Sequence, residues 1–439
     1  MIIVNKFYIP VIVKFWIAFL LASLWFVFCF WFSLPWIHDL AVYTGTVLSL
    51  FIIFFIALIP GFMQMFLFVA YLFDKRQKNK AIQIYPPLSI IMACFNESAI
   101  IAQTLQAISM AAQQYPSELE IIVVDDGSTD NTVNIINELA IKNVKLIKNT
   151  HFGKANCLNL ALLHLKNDLV VSLDADTLLT KAALTKIVER LYSSPSDTAA
   201  VAGTVFVKNS RQSFITRLQE WDYFLAITAI KRMQSLLQGT LVAQGAFSLF
   251  KKSILLEIKG WPNLVGEDIV MSWSILKKGY RIGFAEQAIA FTCVPETYKG
   301  FFLQRARWAR GMLEAFRAHP GILITPRLSL FLVYWNALFP VMDFVYLFVF
   351  FPGVVLALLG YFFIAGPMTL ALLPLVAVYT VVFFLTHKKL FNAQGFKVRK
   401  NKMGFIFYVL FYQIISVPAH LHGYFSELLN MKKNWGRKK

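Results

Sequence analysis

The chain has 439 residues and a formal net charge of +18 at neutral pH, with 58% hydrophobic and only 15% charged residues. This composition is too apolar for an ordinary soluble enzyme and predicts a membrane protein. Much of the positive charge flanks apolar segments, where anionic headgroups attract it. The sequence contains no helix-turn-helix, zinc-ligand or RNP-like pattern, so no nucleic-acid partner is expected.

Two apolar segments near the N-terminus, residues 15–32 and 41–73, are long enough to cross a bilayer. A cleaved signal peptide is the alternative for the first segment, but no small-x-small cleavage site follows it. The stretch 33–45 between them lacks Lys and Arg, whereas the stretch 74–80, DKRQKNK, is basic. By the positive-inside rule, residues 1–80 form two transmembrane helices of a cell (inner) membrane protein, and the domain that follows is cytoplasmic.

Residues 81–327 alternate short apolar runs, amphipathic stretches and clustered acids, which predicts one folded α/β domain. Within residues 328–430, apolar runs predict three to four further spans, at 328–366, 367–386 and 404–421. A basic tail, 431–439, ends the chain. The run 387–402 is also basic, although a single predicted span separates it from the tail, so the positive-inside rule leaves the topology of this end open.

In the α/β domain, LSIIMACFNES (88–98) is followed by an amphipathic stretch and by LEIIVVDDGSTDNT (119–132). Two apolar runs joined by a helix predict a βαβ unit, and ligands of such sheets collect at the carboxyl ends of the strands. The residues at these ends are Asn96, Glu97, Asp125 and Asp126. The two aspartates either form a turn and a helix cap or accept hydrogen bonds from a uracil N–H and ribose hydroxyls.

The segment DLVVSLDADTLL (168–179) predicts an apolar strand that places Asp174 and Asp176 at one strand end. Strand alternation would put both side chains on the same side, where one ion can bridge them to a ligand. Hard divalent ions such as Mg²⁺ or Mn²⁺ take oxygen ligands and bind diphosphates, so the pair predicts a metal site, although a lone DxD also occurs by chance. Lys154, which follows Gly153, is either a phosphate contact or a solvated surface lysine.

The segment LVGEDIVMSWSILKKGYRI (264–282) places Glu267 and Asp268 at the start of a helical period. Acids at this position cap a helix and complement its dipole. The alternative is a catalytic role, for which Asp268 is the better candidate as a general base.

The motif QRARW (304–308) combines guanidinium groups with an indole. Helical spacing puts Gln304, Arg307 and Trp308 on one face. A guanidinium binds a diphosphate in bidentate fashion, and an indole ring offers a flat floor for a sugar. An amphipathic helix at the membrane surface is the alternative, and one helix can serve both purposes.

The ordered motifs DDG, DAD, ED and QRARW resemble those of the processive, membrane-embedded family-2 glycosyltransferases, such as cellulose, chitin-oligosaccharide, hyaluronan and poly-N-acetylglucosamine synthases. The resemblance covers residues 88–311 and the flanking spans, and VPETYKG and EDIVMSW are most similar to the poly-β-1,6-N-acetylglucosamine synthases. It implies an α/β GT-A (Rossmann-like) domain embedded between transmembrane helices. It also implies inverting transfer of a hexosamine, N-acetylglucosamine above all, from a UDP-sugar to a growing polysaccharide that is extruded through the bilayer.

The resemblance further implies roles for individual residues. Nucleoside contacts are implied for Ala93, Glu97 and Asp126, UDP contacts for Lys154 and Asp174, and diphosphate contacts for Gln304 and Arg307. Asp176 would hold Mg²⁺ or Mn²⁺, Asp268 would deprotonate the acceptor hydroxyl, and Trp308 would support the acceptor sugar.

Two departures from the family pattern concern the acceptor side. The usual TED reads GED, with Gly266 in place of the threonine, and the loop that holds an SG pair in many relatives reads AQGAFSLFKK (243–252). Two alternatives stay open: a non-processive transferase to a polyprenyl phosphate or another short acceptor, and a catalytically dead transporter or scaffold. The sequence identifies neither the linkage nor a small membrane helper subunit.

Overall fold

The computed structural model describes residues 9–73, 79–237, 239–325, 327–366 and 400–432, together with residues 381, 384, 385, 388 and 392. The chain divides into two units. Met1–Arg76 and Tyr334–Leu421 form the first, and Gln77–Val333 and His422–Lys439 form the second. The first unit carries long apolar helices, and the second carries the α/β domain.

The described helices alternate with strands only in the second unit. In chain order they are α1 Val11–Phe32, α2 Leu34–Thr44, α3 Thr46–Ile53, α4 Ile59–Leu72, α5 Ile101–Gln114, α6 Thr132–Leu139, α7 Lys154–Leu163, α8 Ala183–Tyr192, α9 Phe214–Asp222, α10 Ile230–Leu236, α11 Lys252–Glu257, α12 Glu267–Lys277, α13 Tyr298–Ala318, α14 Phe331–Val345, α15 Phe351–Leu358 and α16 Lys402–Leu428. Short π-helices at Phe54–Leu58, Tyr223–Ala229 and Tyr346–Phe350 join α3 to α4, α9 to α10 and α14 to α15.

An eight-stranded mixed sheet forms the centre of the second unit. Its strands are β1 Leu88–Cys94, β2 Leu119–Asp125, β3 Val144–Lys148, β4 Leu169–Leu173, β5 Thr177–Leu179, β6 Thr198–Val207, β7 Phe247–Lys251 and β8 Arg281–Thr292. Their order is β3-β2-β1-β4-β7-β6-β8-β5. Strands β1 to β4 pair in parallel, whereas β7 runs antiparallel to both β4 and β6. The sheet has the GT-A-like α/β architecture that the sequence predicts.

The predicted βαβ unit is confirmed at β1, α5 and β2. Both strands are apolar and buried along nearly their whole length, which is typical of parallel strands covered on two faces. Helix α5 repeats apolar residues at Ile101, Leu105 and Ile108, which lie in the same core cluster as Ile90 of β1. Because β1 and β2 are parallel, their polar carboxyl ends meet at one edge of the sheet.

Among the described residues, four stretches of helix are long and apolar enough to cross a membrane: Val11–Phe32, Thr46–Leu72, Phe331–Leu358 and Lys402–Leu428. They make the chain a multi-pass membrane protein, in agreement with the sequence. The second stretch begins later than predicted, because Gly45, with a φ of 77°, ends α2 before α3 starts. The predicted span 367–386 lies outside the described residues, so the number of C-terminal spans stays a prediction.

The last turns of α16 belong to the second unit and pack on α13. A Cβ built on Gly423 would lie 2.2 Å from the carbonyl oxygen of Ala306, so only glycine permits this approach. Beside it, the buried carboxylate of Glu427 accepts hydrogen bonds from Arg310 Nε at 3.0 Å and from Arg317 at 2.7 Å. Breaking a buried ion pair leaves an uncompensated charge, so this C-terminal clamp of Arg310, Arg317 and Glu427 holds the end of α16 on α13.

Candidate active site

At the carboxyl end of β2, Asp126 is held in a closed network. Its buried carboxylate accepts hydrogen bonds from the backbone N–H groups of Phe152 at 2.9 Å and Gly153 at 3.0 Å, and from the Cys157 thiol at 3.2 Å. Gly153 adopts a φ of 92°, which favours glycine, and caps α7, whose first residue is Lys154. Asp126 therefore positions the start of α7, and its contact with a nucleoside stays a prediction.

Ala93 and Glu97 lie at the same edge. Ala93 is half-buried in β1, opposite Val124 of β2. The backbone N–H of Glu97 donates to the hydroxyl of Thr132 at 2.8 Å, which ties the end of β1 to the start of α6. The structure thus brings the three predicted nucleoside residues to one strand edge, and their contacts with a ligand stay predictions.

Lys154 forms the centre of a charged cluster. Its Nζ lies 2.6 Å from Asp174 Oδ1 and 3.1 Å from Glu267 Oε1. Burial alone would lower the pKa of Lys154, but the charges of Asp174 and Glu267 outweigh burial and raise it. The ammonium stays protonated and joins the start of α7, the end of β4 and the start of α12 at one point.

Glu267 joins this cluster although its place at the start of α12 indicated only a helix cap. Burial raises the pKa of the Glu267 carboxyl to about 7, although the ammonium of Lys154 opposes the shift. The sequence carries no signal for this role, and the expected cap is not formed, because the cap residue of α12 is Gly266 and neither acid of GED caps the helix through its side chain. The sequence-based hypothesis assigns a chemical role to Asp268 alone.

Asp268 lies beside the cluster and faces the loop between α10 and β7. Its Oδ2 accepts a hydrogen bond from the backbone N–H of Gly245 at 3.4 Å, and its Oδ1 accepts one from Ile269 at 2.8 Å. A Cβ built on Gly245 would lie 2.8 Å from Lys154 Nζ. The backbone at Gly245 therefore lies beside both Asp268 and the Lys154 ammonium, and a side chain at this position would have to displace the lysine.

A second buried lysine lies near Asp268 and was not found from the sequence. Lys231 of α10 donates to the carbonyl oxygen of Val242 at 2.9 Å and contacts the side-chain oxygen of Gln244. Burial lowers the pKa of Lys231 to about 7, and the charge of Asp268 opposes this shift. The sequence around Lys231 does not indicate that this lysine is buried, because the groups that it binds, at Val242 and Gln244, lie in the loop after α10.

Asp174 and Asp176 of the DAD motif have different partners. The expectation that strand alternation puts both carboxylates on one side is wrong, because strand β4 ends at Leu173, before either aspartate. Asp174 pairs with Lys154, whereas Asp176 Oδ1 accepts a hydrogen bond from the Thr292 hydroxyl at 3.1 Å. A half-buried carboxylate at a strand end is a suitable ligand for Mg²⁺ or Mn²⁺, because such ions commonly take one or two protein carboxylates and substrate phosphate oxygens.

Helix α13 divides the QRARW motif between two environments. Gln304 and Arg307 are half-buried and Trp308 is 44% exposed. Arg305 is 2% exposed, and its Nη2 lies 2.5 Å from Oδ2 of buried Asp222 in α9. Trp308 and part of Arg307 therefore reach the surface, whereas the side-chain oxygen of Gln304 is buried and Arg305 is used inside the protein.

Gly266 and Gly311 bring the start of the GED segment against α13, three residues after the QRARW motif. A Cβ built on Gly266 would lie 2.4 Å from the Cα of Gly311, and one built on Gly311 would lie 2.7 Å from the Cα of Gly266. Backbone atoms cannot move aside as a flexible side chain can. The replacement of threonine by Gly266 thus accompanies a direct backbone contact between α13 and the residue that precedes α12.

The chain matches known glycosyltransferases in sequence and in fold. The family model "Glycosyl transferase family 2" matches residues 89–259. The poly-beta-1,6-N-acetyl-D-glucosamine synthase of Staphylococcus aureus (strain COL) is 31% identical over 304 residues, which span 66% of this chain and 72% of that protein. The synthase of the same name from Staphylococcus epidermidis is 36% identical over 252 residues, which span 56% of this chain and 60% of that protein.

The solved structure of mannosyltransferase PcManGT from Pyrobaculum calidifontis in complex with GDP-Man and Mn²⁺ is similar with a TM-score of 0.60. The match covers 87% of this chain and 99% of that one at 20% identity, so the likeness concerns the fold alone. The mixed sheet and the long apolar helices around it in the chain define a membrane glycosyltransferase with a GT-A-like domain. The chain belongs to glycosyltransferase family 2, as its motifs predicted.

The contact between Gly266 and Gly311 generates a prediction. Gly311→Ala would push α13 away from the start of α12, and turnover should fall by about 10²-fold, as for a displacement of about 1 Å between reacting groups. The measurement is kcat with the purified enzyme, with melting temperature as a check of folding. Gly321→Ala is the matched control, because a Cβ at Gly321 meets nothing within 4 Å. Equal turnover of the two variants would contradict the prediction.

Proposed function

We propose that the protein is an inverting, processive glycosyltransferase that moves N-acetylglucosamine from a UDP-sugar onto a growing polysaccharide and extrudes the product across the cell membrane. The observation that carries the proposal is that Asp268 and the Lys154 cluster both lie beside the backbone of Gly245. Helix α13 packs against the start of α12, which carries Asp268. Transfer from a diphosphate leaving group needs a base beside the acceptor hydroxyl and positive charge beside the phosphates, and these elements supply both.

In the proposed reaction, the acceptor hydroxyl oxygen bonds to the anomeric carbon while the bond from that carbon to the UDP oxygen breaks. The acceptor proton passes to the Asp268 carboxylate, and the electron pair of the broken bond leaves with UDP. Arg307 and Gln304 bind the diphosphate from α13, where the planar guanidinium makes two parallel hydrogen bonds. Trp308 supports the acceptor sugar through the apolar face of its ring.

The remaining roles follow the position of each residue in the sheet. Ala93, Glu97 and Asp126 are assigned to the nucleoside, and Lys154 and Asp174 to UDP. Asp176 is assigned to Mg²⁺ or Mn²⁺, which when bound would neutralise charge on the departing diphosphate. The Mn²⁺ in the complex of the Pyrobaculum calidifontis mannosyltransferase supports a divalent ion in a domain of this architecture.

The choice of sugar rests on the relatives. The two staphylococcal proteins are named as synthases of poly-beta-1,6-N-acetyl-D-glucosamine, and the first is 31% identical over 72% of its length. Their product supports N-acetylglucosamine as the transferred unit and a polymer as the acceptor. The proposal therefore includes both a UDP-N-acetylglucosamine donor and a β-linked polymer product.

A donor panel tests this function. The purified protein, supplied with radiolabelled UDP-N-acetylglucosamine, UDP-glucose or UDP-glucuronic acid, should release UDP and form a long polymer with the first donor alone. Arg307→Lys should lower turnover by about 10²-fold, since lysine keeps the charge but loses the bidentate fork, whereas Arg317→Lys on the same helix is the control. Transfer of a single sugar to a polyprenyl phosphate would contradict the polymer, and no UDP release from any donor would contradict the reaction.

Removal of the metal ligand is a separate prediction. Asp176→Asn replaces a carboxylate by an amide of the same shape, so activity that depends on Mg²⁺ or Mn²⁺ should be lost while the melting temperature stays close to that of the wild type. Activity is measured over a titration of each ion, and EDTA provides the metal-free reference. Wild-type turnover of Asp176→Asn in EDTA would show that the reaction needs no ion at this carboxylate.

We further infer that the C-terminal tail lies on the same side of the membrane as the catalytic domain. Residues 422–432 belong to the catalytic unit, and Arg310 donates hydrogen bonds to the carbonyl oxygens of Met431 at 2.6 Å and Lys432 at 3.4 Å. The positive-inside rule places that unit in the cytoplasm, next to the basic segment 74–80. The basic tail 431–439 then follows the same rule.

Single cysteines test this orientation. Lys142→Cys and Asn430→Cys, both at exposed positions, should be shielded from an impermeant thiol reagent in intact cells and labelled after lysis. His38→Cys, in the hairpin between the first two spans, should be labelled in intact cells and is the positive control. Labelling of Lys142→Cys in intact cells would reverse the whole orientation, and labelling of Asn430→Cys alone would place the tail outside.

A further inference from the structure

Lys231 of α10 is a buried lysine whose hydrogen-bond partners are neutral oxygens. Only 8% of the residue is exposed. Among the described residues, its ammonium donates to the carbonyl oxygen of Val242 at 2.9 Å and contacts the side-chain oxygen of Gln244, and no carboxylate lies within ion-pair distance. Two neutral oxygens compensate a buried charge poorly, so Lys231 costs stability at this position. Proteins keep such local conflicts mainly at functional sites.

The residue that Lys231 contacts is also fixed by two strands of the sheet. The side-chain amide of Gln244 donates to the carbonyl oxygen of Gly203 in β6 at 2.7 Å. The backbone carbonyl oxygen of Gln244 accepts a hydrogen bond from the Ser248 hydroxyl of β7 at 2.8 Å. Lys231 and the two strands therefore hold the loop 242–245 from one side.

The same loop is bound to the first turn of α12. The backbone N–H of Ala243 donates to the Ser272 hydroxyl at 2.8 Å, and that hydroxyl donates to the backbone carbonyl oxygen of Asp268 at 2.6 Å. The backbone N–H of Gly245 donates to Asp268 Oδ2 at 3.4 Å. The loop thus reaches both the backbone and the carboxylate of Asp268, so a shift of the loop changes the surroundings of that carboxylate.

We propose that Lys231 is a positioning residue for Asp268: the lysine sets the loop 242–245, and the loop directs the Asp268 carboxylate toward the acceptor hydroxyl. This inference rests on the proposed function, in which Asp268 takes the acceptor proton. Lys231 acts through the loop and does not touch the sugar. A general base must lie within hydrogen-bond reach of the proton that it takes, so a small displacement of its carboxylate lowers turnover.

Hydrogen–deuterium exchange of the full-length protein tests the loop directly. Lys231→Met keeps an unbranched side chain and removes its donors and its charge, so the amides of Ala243 and Gly245 should exchange about tenfold faster. Lys252→Met is the matched control. Its ammonium is half-buried and donates to the carbonyl oxygen of Leu165 at 2.8 Å, before β4 begins, so its loss should leave these two amides unchanged.

Turnover tests the link to Asp268. Lys231→Met should lower kcat with UDP-N-acetylglucosamine by about tenfold, which is less than the loss of about 10²-fold for a displacement of about 1 Å. The Kd of UDP should stay unchanged, because Lys154 keeps its own partners Asp174 and Glu267. The melting temperature should not fall, since the variant no longer buries a charge. Lys252→Met should keep the kcat of the wild type.

A double variant tests whether Lys231 acts through Gln244. Gln244→Met removes the side-chain oxygen that Lys231 contacts, together with the donor to Gly203. Because both single variants release the same loop, the double variant Lys231→Met/Gln244→Met should turn over about as slowly as Gln244→Met alone. Losses in kcat that multiply would show that the two residues act independently, which contradicts the proposal.

Other results would also overturn the inference. Unchanged exchange of the loop amides in Lys231→Met would show that the lysine does not set the loop. Faster exchange with the kcat of the wild type would break the link to Asp268. A lower melting temperature with equal losses in kcat and in UDP affinity would reduce Lys231 to a structural role. If the wild type releases no UDP, the proposed reaction is refuted, and the exchange experiment still decides whether Lys231 sets the loop.

Discussion

The site depends on how one ammonium group is neutralised. Asp174, Glu267 and Asp268 lie close enough to repel one another, and Lys154 pairs directly with the first two. Asp268 receives backbone N–H groups from Gly245 and Ile269. The carboxylate of Asp268 is thus held by backbone N–H groups, whereas Asp174 and Glu267 are held by the ammonium of Lys154.

The same ammonium also fixes the distances between elements that are far apart in the chain. Asp126 closes the loop before α7, α7 presents Lys154, and Lys154 holds the start of α12. Helix α12 then meets α13 through two glycines that allow backbone contact. A displacement at any one of these points is passed on to the next, because a packed interior cannot absorb it locally.

The local parts of this arrangement could be predicted from the sequence. Apolar runs define β1 and β2, and their polar ends define the edge at which Asp126 lies. Helical spacing predicts the face of α13 that carries Arg307 and Trp308. These features depend on neighbours within a few residues, so the order of residue types suffices.

The long-range parts could not be predicted. The antiparallel insertion of β7 between β4 and β6 depends on pairing across distant segments. Nothing in the QRARW motif distinguishes Arg305 from Arg307. Arg305 is nevertheless buried, because it pairs with Asp222, which lies 83 residues earlier in the chain. Lys231 and Glu267 are also buried by contacts with segments outside their own helices. The residues next to them in the sequence do not indicate these contacts.

Arg310 of the C-terminal clamp binds the segment after α16 through backbone atoms, so these hydrogen bonds do not depend on the side chains of that segment. Two of the groups bound by Arg310 are carbonyl oxygens, those of Met431 and Lys432, which every amino acid carries. The guanidinium of Arg310 can make these hydrogen bonds with any residues that follow α16, provided that the polypeptide continues past the helix. Sequences that diverge freely at these two positions can conserve the contact, whereas a chain that stops before them leaves a buried cation facing fewer acceptors. The hydrogen bonds of Arg310 therefore require that the chain extends through residue 432, and they do not depend on the side chains at positions 431 and 432.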